Sequence, residues 1–207
     1  PVRSAGGDLL GHAYFNRKAS IAGRMVSFVD TPPEDAIRQN VEKALVLRRR
    51  FFDPAMTNAY RVINAEGDFI PGLVVDIYSD VLVLQIGTLG MEKLKPLMLE
   101  LLVEKLKPRS VYEKSDLPSR REEELKDYEA TLYGEPVEQA RILEEGLPFL
   151  VNITGAQKTG FYLDQREMRK LVREQAAGRK VLNAFAYTGA FSVYALQGGA
   201  IRAASVE

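Results

Sequence analysis

The chain has no cysteine and a single histidine, His12, among its 207 residues. Disulfides, thiolate metal sites and a cysteine nucleophile within the chain are thereby excluded. A multi-histidine metal centre is excluded too, so no metal is expected and His12 reads as structural. Net charge is also missing: 28 Lys and Arg stand against 28 Asp and Glu. Bulk electrostatics give no reason to expect nucleic acid, and any RNA contact has to come from a local basic face. No apolar run approaches the ~20 residues of a membrane span. The opening Pro1-Val2-Arg3-Ser4 reads neither as a signal peptide nor as a translation start. The expectation is a cytoplasmic protein, not membrane-associated, seen as a fragment.

What is present is ordinary for a globular chain: 46% hydrophobic and 27% charged residues, enough for buried cores. The pattern implies an α/β fold in three parts. Residues 1–30 are glycine-punctuated short strands and turns, too short for a domain alone. Residues 31–129 open with Thr31-Pro32-Pro33-Glu34, whose Thr-x-x-Glu spacing predicts a capping box and a helix start. Ile37, Val41, Ala44 and Leu45 then form an apolar stripe, closed by Arg48-Arg49-Arg50. Gly72–Tyr78 and Val81–Ile86 read as two strands turning at Ser79-Asp80. A helix carrying Met91, Leu94, Leu97, Met98, Leu101 and Leu102 follows, then a strand at Ser110–Glu113. Residues 114–129, with Arg120-Arg121-Glu122-Glu123-Glu124, read as a charged linker or surface segment. Asp68 and Asp76 read as turn and strand-end residues, since no second cue makes them a catalytic pair.

Residues 130–207 begin with antiparallel strands turning at Glu144-Glu145-Gly146. Asp164 and Glu167 suggest a second capping box, before a helix with Met168, Leu171 and Val172 as its apolar face. Lys180–Phe185 reads as a buried strand and Tyr187-Thr188-Gly189-Ala190 as a turn into a helix with Phe191 and Tyr194. Ala203–Glu207 starts a second strand. Helix, strand, glycine turn, helix and a strand ending in an acid is the opening of a doubly wound sheet. The turn lets a ligand approach the backbone, and Glu207, eighteen residues after Gly189, can accept hydrogen bonds from ribose hydroxyls. The turn has one glycine instead of Gly-x-Gly-x-x-Gly, and Phe191 would crowd a pyrophosphate. That favours S-adenosylmethionine (SAM) over NAD. A βαβ unit with a tight turn and no ligand carries the same signature.

Gln157-Lys158-Thr159-Gly160-Phe161-Tyr162-Leu163-Asp164-Gln165-Arg166-Glu167, followed by Val181-Leu182-Asn183-Ala184-Phe185-Ala186-Tyr187-Thr188-Gly189-Ala190-Phe191-Ser192, resembles the PUA-linked class I SAM-dependent rRNA methyltransferases of the large-subunit cytosine-C5 type. The likeness extends over nearly the whole chain. Gly11–Asn16 through Ile21 looks like the tail of a PUA RNA-binding module. Asn58–Arg61, Glu66–Asp68 and Pro71–Asp76 look like the family's central α/β domain. The resemblance implies a partial PUA-like β module (1–30), a central α/β domain (31–129), and a β-hairpin with the N-terminal part of a Rossmann-like methyltransferase domain (130–207). Ala156 departs from the family's usual glycine, and Glu207 from its commoner aspartate.

By the same resemblance, SAM is contacted by Lys158, Thr159, Phe161, Asp164 and Arg166, and by Asn183, Phe185, Tyr187, Thr188, Gly189, Ala190, Phe191 and Glu207. The implied partner is large-subunit rRNA, with a homodimer as in relatives. Arg17, Lys18, Arg24, Arg48, Arg49 and Arg50 are the RNA-contact candidates, although charge runs are more often solvated faces. Cytosine C5 chemistry needs a thiolate to add at C6, so catalytic residues are expected beyond Glu207 and the fragment is expected to be inactive alone. Guanine-N2 methylation, and an RNA-binding module with a degenerate methyltransferase fold, are the competing readings.

Overall fold

A computed structural model describes residues 1–207. Three short strands, β1 (Val2–Arg3), β2 (Leu9–Phe15) and β3 (Gly23–Ser27), form an antiparallel sheet. Helix α1 (Pro33–Phe51) leads to a five-stranded sheet. That sheet contains β4 (Ala59–Asn64), β5 (Leu73–Tyr78) and β6 (Val81–Ile86). After helix α2 (Leu89–Leu106) it adds β7 (Ser110–Ser115), and after the short α3 (Pro118–Glu122) it adds β8 (Tyr128–Gly134). Spatial order follows chain order, and only β6 and β7 run parallel. A parallel pair needs a long crossover, which α2 supplies.

Both faces of this sheet are covered, which is why β6 is almost entirely apolar. On one face Leu73, Val75, Leu82 and Leu84 pack under α1 and α2, meeting Ile37, Val41, Met91 and Met98. On the other, Tyr78, Val81 and Val83 meet a hairpin formed by β9 (Gln139–Glu144) and β10 (Leu147–Asn152). Its two turn residues, Glu145 and Gly146, both have positive φ (52° and 76°), as a tight two-residue hairpin turn requires. The chain ends with α4 (Arg166–Gln175), β11 (Lys180–Ala184), α5 (Ala190–Gln197) and β12 (Arg202–Val206), with β11 and β12 parallel. No helix is long and apolar enough to cross a membrane.

Several expectations are corrected. Neither capping box forms: Pro32 and Gln165 occupy the N-cap positions and no side chain caps either helix. Asp164 is instead engaged by Lys158. The 114–129 segment is not a free linker. Arg120 is buried and donates to the Ile86 and Lys126 carbonyls and to Glu92, so opposite charges there neutralise each other inside the fold. The boundary placed at 129/130 falls inside β8, whose pairing with β7 keeps residues through Gly134 in the central sheet. Met168 and Leu171 are exposed, because Arg166, Arg169 and Arg173 form the inward face of α4 and lie over Phe52, Phe161 and Tyr194. The β11 run is strand but not buried throughout: Leu182 is 68% exposed.

The N-terminal sheet is fastened to the central domain through Tyr14, whose hydroxyl donates to the Pro71 carbonyl at 2.8 Å and lies 3.0 Å from Thr88 Oγ1. A β-carbon at Gly90 would overlap the Tyr14 ring. Gly90→Ala is therefore expected to cost about 1–3 kcal/mol by overpacking, measured by urea unfolding; an unchanged midpoint would refute this docking. Burial pushes the Tyr14 phenol up to about 12. An unfolded tyrosine ionises near ~10. A raised folded pKa means that the stabilisation is intact below that value and is lost as pH rises toward about 12. An alkaline titration followed by tyrosinate absorbance should show one fewer late-ionising phenol in Tyr14→Phe.

Candidate functional site

Residues 157–166 cross from the hairpin to α4 and are tied to the second face of the central sheet. Strand alternation points Asp76 and Tyr78 of β5 to that face. The Phe161 amide donates to the Tyr78 hydroxyl at 3.1 Å, which lies 2.8 Å from Thr159 Oγ1, and Thr159 donates to Asp76 Oδ2 at 2.6 Å. Arg61 closes the chain with two bonds to the Asp76 carboxylate, and that hydrogen-bonded partner raises its own pKa. Burial pushes the Tyr78 phenol up, keeping it a neutral donor. Gly160, at φ +141°, allows this approach: a β-carbon there would press on the Asn152 carbonyl and the Val151 side chain.

One side of this segment faces a cleft of about 700 Å³ against the central domain. Lys158, Thr159, Phe161, Asp164 and Arg166 all line it, together with Arg48, Arg61 and Asp76. Its cations are paired. Arg48 chelates Asp68 with two bonds of 2.6 Å, and Arg166 reaches Glu144 at 3.1 Å. Lys158 holds Asp164 at 3.0 Å. Burial raises the Asp164 carboxyl, but the Lys158 bond and charge outweigh it and leave the pKa below the usual range. The cleft is thus lined mainly by polar side chains without a large excess of charge; Phe161 is buried, and Phe52 is stacked on Tyr60 with the Arg166 guanidinium 4.8 Å from its ring.

The other side faces a cleft of about 420 Å³ at the β11–α5 turn. Phe185 (φ 58°), Tyr187 (φ 49°) and Gly189 (φ 73°) are all left-handed, so the chain reverses sharply before α5. A β-carbon on Gly189 would meet nothing within 4 Å, so the backbone conformation and not crowding calls for glycine. The Ala190 and Phe191 amides open α5 without chain partners. Glu207, just past β12, accepts the Tyr187 amide at 2.9 Å. Phe185, Tyr187, Thr188, Phe191 and Glu207 line this cleft. Asn183 and Ala190 do not: Asn183 is buried and bonds Ser192, bracing strand to helix, and Ala190 is 5% exposed in the core.

Ten of the thirteen candidate cofactor residues therefore line two clefts that share one wall, five in each, and Asn183, Gly189 and Ala190 line neither. Lys158 and Phe161, on the larger cleft, touch Tyr162 and Arg169, on the smaller: the Lys158 ammonium lies 4.3 Å from the Tyr162 ring and the Arg169 guanidinium 4.7 Å from Phe161. Gln157, Tyr162, Gln165 and Arg169 belong to the smaller cleft and escaped the residue-level reading. Arg169 is hardest to find, because arginine at helical spacing reads as a solvent face. The RNA candidates are also divided. Lys18 pairs with Glu124, Arg24 with Glu66 and Arg48 with Asp68, whereas Arg17, Arg49 and Arg50 are exposed and form no ion pair.

A glycine turn with free helix amides and an acid at the next strand tip suits an adenosine-bearing ligand, and comparison with known proteins agrees. Residues 122–207 match the S-adenosylmethionine-dependent methyltransferase family. SAM is the cofactor of that family. The chain is 38% identical over 203 residues to ribosomal RNA large subunit methyltransferase I of Alteromonas mediterranea, covering 97% of this chain and 51% of that protein. It spans about half the length of the curated relatives it matches. A Streptococcus mutans structure described as a SAM-dependent methyltransferase superposes with a TM-score of 0.82 at 29% identity, over 99% of this chain and 53% of that one. A methyltransferase structure complexed with S-adenosylhomocysteine (SAH) superposes with a TM-score of 0.83, at the same identity and coverage. The family match lies on the C-terminal segment, which contains the smaller cleft.

The smaller cleft depends on one buried carboxylate. Glu144 has no exposure and binds Arg166, Arg169 and the Tyr194 hydroxyl. Glu144→Ala leaves two guanidiniums without their partner and is expected to destabilise the protein by about 3–5 kcal/mol. Urea unfolding measures this, and a loss under about 1 kcal/mol, as for an exposed pair, would contradict the assigned role.

Proposed function

We propose that the protein is a SAM-dependent RNA methyltransferase acting on large-subunit rRNA, with cytosine C5 as the methyl acceptor. The observation that carries the reading is the joining of the β11–α5 glycine turn to Glu207 within a segment matching the methyltransferase family. The activity for which the relatives are named supplies the substrate class.

In this reading SAM would occupy the smaller cleft, where Glu207 would accept hydrogen bonds from the ribose hydroxyls and the Phe185 and Phe191 rings would supply apolar surface for the adenosine. The larger cleft takes the target nucleotide, drawn out of its stack so that its edge can be read. There the partly exposed Phe52 offers an apolar contact and the half-exposed Arg61 guanidinium a donor. Lys158–Arg166, shared by both clefts, sets the distance between methyl donor and acceptor. Arg17, Arg49 and Arg50 are left for RNA phosphates, with the N-terminal three-stranded sheet as the PUA-like part. The thiolate that C5 transfer requires comes from outside this cysteine-free chain. A cytoplasmic location and a homodimer accompany this reading.

Titration calorimetry on the full-length protein, with NAD as control, tests the cofactor. SAM is expected to bind and NAD not to. Methyl transfer from labelled SAM to large-subunit rRNA, followed by mass spectrometry of the nucleosides, tests the acceptor. 5-Methylcytidine is expected. N2-methylguanosine would move the chemistry to an exocyclic amine, and failure to bind SAM would leave an RNA-binding module with a degenerate enzyme fold.

A further inference from the structure

Among the residues lining the smaller cleft there is one cation, Arg169, and one carboxylate, Glu207. Arg169 is only 1% exposed, yet its donors are not all used. Its Nε donates to Glu144 Oε1 at 2.7 Å, and its Nη2 donates to Glu144 Oε2 at 2.8 Å and to the Tyr162 carbonyl at 3.0 Å. Nη1 makes no hydrogen bond within the chain, and it is not among the buried polar atoms sealed off without a partner. A guanidinium is thus fixed in the wall, with Glu144 behind it and the Phe161 and Phe191 rings 4.7 and 5.9 Å from its carbon.

The charge around it is unbalanced. Arg166 and Arg169 share the single Glu144 carboxylate, and the third group on that carboxylate, Tyr194, is a neutral phenol raised further by burial. Two cations against one anion leave a net positive charge in the wall, and an uncompensated buried charge draws an opposite one. We propose that Arg169 receives the α-carboxylate of the cofactor's amino-acid arm through Nη1, an inference that rests on the SAM reading above. A guanidinium is permanently charged and geometrically matched to carboxylate. It would repel the sulfonium and the ammonium, and of the cofactor's acceptors only the carboxylate carries the opposite charge. Glu207 repels that carboxylate and accepts from the ribose. The two charges therefore orient the cofactor along the cleft, with the Gln165 side-chain carbonyl available to the ammonium.

The test compares two ligands on the full-length protein by calorimetry: SAH, and S-adenosyl-3-thiopropylamine, the same molecule without its carboxylate. Wild type is expected to prefer SAH by about ten- to hundredfold, as for a hydrogen bond between charged groups. Arg169→Gln is expected to erase the preference while leaving the decarboxylated ligand within a few fold of its wild-type affinity. Arg169→Lys, which keeps a cation beside Glu144, serves if the glutamine variant does not fold, and is expected to retain only part of the preference. A purely structural arginine would weaken both ligands equally and leave their ratio unchanged. Equal binding of the two ligands to wild type, or an undiminished preference in a folded Arg169 variant, overturns the proposal while leaving the SAM site standing. Binding of neither ligand overturns the SAM reading and this inference with it.

Discussion

The carboxylate of Glu144 sits at the end of β9 with no solvent exposure, and three elements meet on it. Arg166 and Arg169 come from α4 and Tyr194 from α5. A buried ion group of this kind is weak evidence for net stability, because desolvation offsets most of the attraction. What it does supply is position. The hairpin is already packed on the central sheet through Ile142, Phe149 and Val151. Through Glu144 that packing is passed on to the two helices flanking the β11 turn. The smaller cleft is thereby referenced to the central domain and not only to its own short two-stranded sheet.

The second reference is the hydrogen-bonded run from Phe161 through Tyr78 and Thr159 to Asp76 and Arg61. Tyr78 and Asp76 alternate with Val75 and Ile77 along β5, so one strand feeds the helix-covered core with one set of side chains and grips the 157–166 segment with the other. Each member of the run has a partner, which a buried polar chain needs if it is to hold one geometry. The segment is pinned from the central side by these hydroxyls and from the C-terminal side by Arg169 against Phe161.

Much of this was legible in the residues, and the failures have identifiable causes. The strands at 73–78 and 81–86, the amphipathic α1 and the Glu145-Gly146 turn follow from apolar periodicity and turn chemistry, which act locally. The glycine turn and Glu207 were legible for the same reason. What could not be read is where charge is buried. Arg120, Glu123, Glu144 and Arg169 look like solvent-facing residues in one dimension, and only folding brings each beside its counter-charge. The same blindness exchanged the two faces of α4 and turned the 114–129 segment into an apparent linker. Nor could one dimension show that the 157–166 segment is a wall with two faces, Tyr162 and Gln165 lining the cleft of the Gly189 turn and Lys158, Phe161 and Asp164 lining the other.

That wall is a single thickness of backbone. A side chain such as Lys158 or Phe161 cannot adjust to what occupies one cleft without being felt in the other, because its neighbours Tyr162 and Arg169 form the far surface. The segment therefore answers to two requirements at once, and a replacement has to satisfy both to survive. An engineer wishing to alter what one cleft accepts would do better to begin at Phe52 or Phe185, which each face one cleft alone.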